Sequence, residues 1–147
     1  MIIPYKRRGR KLAPLVSAAH KAGGYLWNSP NTLLGCVGAL GGRGTWQREE
    51  RICEVCGGWL TALLQCWKLA DAITLGDMVL YADGSMVPVL RAHEMVHVHQ
   101  SRRWGPFFLP AYGLESLWQW LRTGEGYRNN RFERAAYDVI PPPYNPE

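Results

Sequence analysis

No stretch of this 147-residue chain approaches the ~20 consecutive apolar residues of a membrane span. The nearest, Leu33 to Leu40, carries two glycines inside it. The start, MIIPYKRRGRKLAPLVSAAHKAGG, has a basic region, but its apolar run is weak, broken by Pro14 and closed by His20 and Lys21. It makes a poor secretory signal, and a soluble, cytoplasmic protein is the expectation. A second close cysteine pair is also missing. Of Cys36, Cys53, Cys56 and Cys66, only Cys53 and Cys56 are spaced as a knuckle, and no Cys or His partner follows to complete a structural zinc site. Buried or half-buried free thiols are the expectation. Acid is absent from the first eleven residues, where Lys6, Arg7, Arg8, Arg10 and Lys11 lie. Setting those five aside from the 17 Lys and Arg leaves twelve against the 12 Asp and Glu, so the body of the protein is neutral. No stacking or groove-reading motif accompanies the arm, and no specific nucleic-acid partner is expected. There is no internal repeat.

With 47% hydrophobic residues the chain can bury one core but not two of ordinary size. A basic arm and turn region over residues 1–30, with Asn28-Ser-Pro-Asn31 as a turn or helix start, precedes the main domain at 31–140 and a proline-rich tail at 141–147. The segment 31–44 is apolar and glycine-rich, which suggests a short buried element closed by a Gly-Gly turn. Strand character over Arg51–Cys56 stops at Gly57-Gly58, and Trp59 to Lys68 leans to helix. The run from Ile73 to Tyr81 reads as one strand, ended by Ala82-Asp-Gly84. Helical patterns follow over Pro88–Trp104, Pro110–Arg122 and Asn130–Val139, the last with Asn130 as N-cap and Glu133 at N3. The fold class is therefore α+β, a small mixed sheet with helices.

Three of the four histidines lie in RAHEMVHVHQ, residues 91–100. At ~100° per helical residue, with His93 at 0°, His97 falls near 40° and Glu94 near 100°. His93 and His97 therefore share a face, and Glu94 stands beside them. His99 falls near 240°, on the far side, while Gln100 and Trp104 return to the histidine face at about 340° and 20°. Two imidazoles one turn apart can hold one metal ion, and a carboxylate just off their face can act as base on a metal-bound water without ligating. Gln100 is a candidate to touch a ligand or a substrate. Positions three and six after His97 are Gln100 and Arg103, not the Gly and His of a metzincin, which excludes that class.

The runs AITLGDMVLY, HEMVHVHQSRRWGPFFLPAYG and YRNNRFERAAY, within residues 72–137, resemble the HExxH zinc metallopeptidases of the gluzincin type, in particular small single-domain minimal gluzincins. The resemblance implies a zincin-like domain, with the HExxH helix beneath the sheet edge and a strand lying antiparallel to an extended peptide substrate. It implies Zn2+ on His93, His97 and Glu133, with Glu94 as general base for a water attacking a peptide bond. Glu133 could instead only cap its helix, and Glu115, Glu125 and Asp138 are further acids after the histidines. Tyr127 and Tyr137, on either side of Glu133, are both candidates to stabilise an oxyanion. A non-catalytic zinc-stabilised binding module is the alternative function.

Overall fold

The computed structural model describes residues 12–139, with side-chain surroundings from residue 23 onward, so the basic residues of the arm and the proline-rich tail lie outside it. Helix α1 spans Leu12–Gly38 and is followed by strands β1 (Arg43–Gln47) and β2 (Ile52–Cys56). Helix α2 (Trp59–Cys66), strands β3 (Ala72–Leu75) and β4 (Met78–Tyr81), and helices α3 (Val87–Trp104), α4 (Phe108–Thr123) and α5 (Arg131–Tyr137) complete the order. The class is mixed α+β. The sheet runs β1-β2-β4-β3, antiparallel at both ends and parallel between β2 and β4.

Alternation along the strands separates the two faces of the sheet. Ile52, Val79 and Tyr81 face one way and form a core with Leu90 and Val98 of α3. Val55, Met78 and Leu80 face the other and meet Ala39 and Leu60. On that second side α1 comes close because it presents glycine: a Cβ at Gly35 would lie 2.6 Å from the Met78 side chain, and one at Gly38 would lie 2.7 Å from Leu60. The sheet is thus held between α1 with α2 and α3.

Three local expectations are corrected. The run from Ile73 to Tyr81 is a hairpin of two short strands, because Gly76 (φ +68°) and Asp77 form a two-residue turn whose first position suits glycine. Asn28-Ser-Pro-Asn31 is the interior of α1, so the boundary placed at residue 30 falls inside a helix. Pro30 cannot donate to the carbonyl of Leu26, but the Ser29 hydroxyl does so at 2.7 Å, leaving no orphan acceptor. The segment after it is not a buried element: Leu33, Leu34 and Val37 are each more than half exposed on the outer side of α1.

Among the described side chains of α1, the buried ones are those of Asn28 and Asn31. Asn31 donates to the Gly105 carbonyl at 2.7 Å and Ser101 donates to Asn28 at 2.7 Å, which ties α1 to the end of α3. Helix α3 starts where the local chemistry allows it. Asp83 accepts from the Ser85 N–H ahead of it, and Pro88 occupies the first turn, where no N–H is needed. It ends at Gly105, φ +57°. Among the described residues, no helix is long and apolar enough to cross a membrane.

Candidate metal centre

Helix α3 packs against the end strand β3 and against α5. His93 and His97 project from α3 one turn apart, and their Nε2 atoms are 3.1 Å from each other. Glu133, on the first turn of α5, places Oε2 3.2 Å from His93 Nε2 and Oε1 3.3 Å from His97 Nε2. All three residues are buried. For bonds of 2.0–2.1 Å, the ligand atoms of a tetrahedral zinc site are about 3.3 Å apart. The two imidazole nitrogens, and each of them with its own Glu133 oxygen, have that spacing. Its chemistry also fits a cation, since two imidazole nitrogens and a carboxylate, each able to offer a lone pair, converge there. Glu133 Oε2 is buried, and no group but the His93 ring, with Nε2 at 3.2 Å, is placed to satisfy it. Such an atom is costly unless something positive meets it.

Local rules explain how Glu133 reaches this position. Asn130 caps α5 by accepting from the Phe132 N–H at 2.8 Å, and its amide also donates to Ser116 and to the Tyr112 carbonyl of α4. The Asn130 N–H goes to the Tyr127 carbonyl, so Glu133 does not serve as the reciprocal half of a capping box. Its side chain points to the histidines instead. Glu115 is bonded to Gln119 and paired with Arg131, while Glu125 and Asp138 are exposed. None of these three joins the cluster. Among the described residues, His93, His97 and Glu133 form a group able to hold a metal ion.

Glu94 is 5% exposed and accepts a hydrogen bond of 2.7 Å from the Thr74 hydroxyl on β3. Burial pushes its carboxyl above the usual range, and His97 and the Thr74 bond only partly offset this. Burial alone would also raise Glu133, but the two imidazoles and Tyr112 hold that carboxyl well below the usual range. Two carboxyls on one site are thereby separated in acidity. Burial works against the His97 imidazolium, yet Glu133, and after it Glu94, outweigh burial and raise the affinity of His97 for a proton. Where no metal is bound, that proton is its competitor.

Helical geometry placed His99 away from the site, and its Nδ1 meets the Met95 carbonyl at 2.7 Å on the exposed side. Gln100 is on the histidine face, 2.9 Å from His97 Nδ1. Trp104 stops short of the cluster and packs edge-on against Phe132. The two tyrosines differ in position. Tyr127 lines a cavity of about 350 Å3 that opens beside His93, Glu94 and His97, whereas the Tyr137 ring packs on that of His93, with centroids 4.9 Å apart. Burial foremost, with Glu133 adding to it, raises Tyr127, so its phenol keeps the proton it would donate.

Two site residues have no counterpart in the sequence reading. Thr74 bonds Glu94, and Tyr112 donates to Glu133 Oε1 at 2.6 Å. Phe108 and Tyr112 stand one turn apart, so the period of α4 was a signal for Tyr112; nothing local pointed to Thr74. The cysteines are free. Cys53 and Cys56 pack on opposite faces of the sheet and cannot share an ion, and Cys36 and Cys66 are exposed rather than half-buried. The rest of the cavity wall is apolar, with Leu64, Leu69, Ile73 and Leu109 among its residues. No protein-family model matches this chain, and no curated protein or solved structure is significantly similar to it.

Proposed function

We propose that this protein is a zinc-dependent metallopeptidase of the gluzincin type, built on a zincin-like domain. The observation that carries the reading is the convergence of His93, His97 and Glu133, with Glu94 buried beside them, in the wall of a largely apolar cavity. Zinc held there would supply Lewis acidity to a scissile carbonyl and acidity to a water molecule. Glu94 takes the proton from the attacking water and delivers it to the leaving amine. Its raised proton affinity makes it a stronger base for the first transfer. Thr74 holds the carboxylate in place. Tyr127, as a protonated phenol on the cavity wall, is the donor for the developing oxyanion.

The substrate reading rests on β3. This edge strand pairs only with β4 among the described strands, and Ala72, Ile73 and Thr74 line the cavity. Its outer edge offers backbone groups to an extended peptide, and the apolar wall offers room for an apolar side chain. The test combines metal analysis with cleavage of a peptide library. One zinc per chain and cleavage that Glu94→Gln abolishes while zinc is retained are the expected results. Zinc binding with no cleavage by the parent would leave a zinc-stabilised binding module. A chain that binds no zinc would end both readings.

A further inference from the structure

Gln100 lies three residues after His97 and so returns to the same side of α3. Its amide makes two bonds in different directions. Oε1 is 2.9 Å from Nδ1 of His97, and Nε2 donates to the Phe132 carbonyl oxygen at 3.0 Å. A backbone carbonyl only accepts, so the amide nitrogen must be the group that faces Phe132. The amide oxygen therefore faces His97. That oxygen also only accepts, which requires the proton of neutral His97 to sit on Nδ1. Nε2 is left with a lone pair, and it is this nitrogen that lies 3.1 Å from His93 Nε2 and 3.3 Å from Glu133 Oε1.

The second bond acts on a different element. Phe132 directly precedes Glu133, so the contact fastens the first turn of α5 to α3 less than one turn from His97. His93 lacks comparable support. Its Nδ1 is buried with no hydrogen-bond partner. The centre thus has one imidazole whose Nδ1 is held by a side chain and one whose Nδ1 is not.

We propose that Gln100 is a positioning residue of the metal centre, which locks His97 as the Nδ1–H tautomer and holds the start of α5 so that Glu133 stays opposite the imidazoles. The proposal rests on His93, His97 and Glu133 being metal ligands, but its tautomer half is read without metal. A Gln that only filled space between α3 and α5 would affect neither the tautomer nor the metal.

The experiment uses the full chain with labelled histidine, kept in chelator at alkaline pH, and long-range proton–nitrogen correlation of the His97 ring. The parent should show Nδ1–H. Gln100→Ala should lose that preference, and in a separate chelator competition should bind zinc about ten- to a hundredfold more weakly. Gln100→Glu keeps an acceptor for Nδ1–H but no donor for Phe132, so it should keep the tautomer and regain only part of the affinity. This variant carries the test if Gln100→Ala does not fold. An Nε2–H tautomer in the parent would overturn the proposal. So would Gln100→Ala with unchanged tautomer and affinity, or Gln100→Glu with no part of the affinity regained. A parent with no zinc affinity would overturn the metal centre itself, a failure distinct from that of Gln100.

Discussion

Thr74→Val removes one hydroxyl and nearly preserves shape at a point where the hydroxyl has a single strong partner. Thr74 Oγ1 donates to Glu94 Oε2 at 2.7 Å, and both residues are buried. A hydrogen bond to a charged acceptor contributes about 1.5–3 kcal/mol, and one between neutral groups about 0.5–1.5 kcal/mol. The variant should therefore lose ~1.5–3 kcal/mol of stability where Glu94 is ionised and about 1 kcal/mol where it is protonated. Burial raises the Glu94 carboxyl above its ordinary 4.5, so the folded protein keeps this proton at a pH where the unfolded chain has released it. Stability from this group is then full below the unfolded pKa and declines as pH rises through the interval up to the folded one. Removing the hydroxyl raises the folded pKa further and widens the interval. Parent and variant should lie closest at acid pH and separate as pH increases. Urea unfolding of both proteins in chelator, over a pH series and with unchanged m, measures the gap. In a Glu94→Gln background the same substitution should cost about 1 kcal/mol at every pH. A gap that stays constant or narrows with pH would refute the reasoning, and would assign the hydroxyl to its weaker contact, the Glu94 carbonyl at 3.3 Å.

His93→Ala and His97→Ala should each lose the one zinc expected per chain, while His99→Ala should retain it, as read by metal analysis after dialysis, because the His99 ring is bonded to Met95 on the exposed side. Glu133→Ala should weaken zinc binding about tenfold or more in chelator competition, and Glu115→Ala, Glu125→Ala and Asp138→Ala should not, since none of those acids reaches the histidines. Zinc affinity should fall as pH is lowered through the raised pKa of His97, by about one decade per pH unit for one displaced proton; a flat profile in the same competition assay would show that no proton is exchanged. Gly105→Ala should destabilise by roughly 2 kcal/mol or more in urea unfolding, because φ is +57° there and an added Cβ would collide with the Trp27 ring.

The arrangement within α3 was legible from the sequence because a helix has one geometry whatever surrounds it. A spacing of four puts His93 and His97 together, a spacing of two sends His99 away, and a spacing of three brings Gln100 back. The same local rules marked the cap at Asn130 and the stop at Gly105-Pro106. They failed where two local rules competed. Gly76-Asp77 could be read as part of a strand rich in β-branched residues or as its turn, and only pairing between β3 and β4 decides for the turn. Proline inside α1 reads as a break unless the Ser29 hydroxyl takes over the carbonyl that Pro30 abandons.

For the site, the sequence by itself determined the two imidazoles, the carboxylate beside them and the amide on their face. The partners they meet outside α3 were decided by tertiary structure alone. Among the described residues four acids follow the histidines, and local physics does not choose among them. The choice is made by the chain turning back after α4, and by Asn130 bonding to α4, which together carry the first turn of α5 over α3. Thr74 meets Glu94 across twenty residues and Tyr112 meets Glu133 across twenty-one. Contacts at that separation leave no local pattern, because they depend on how whole elements pack rather than on the dihedral angles of any one of them.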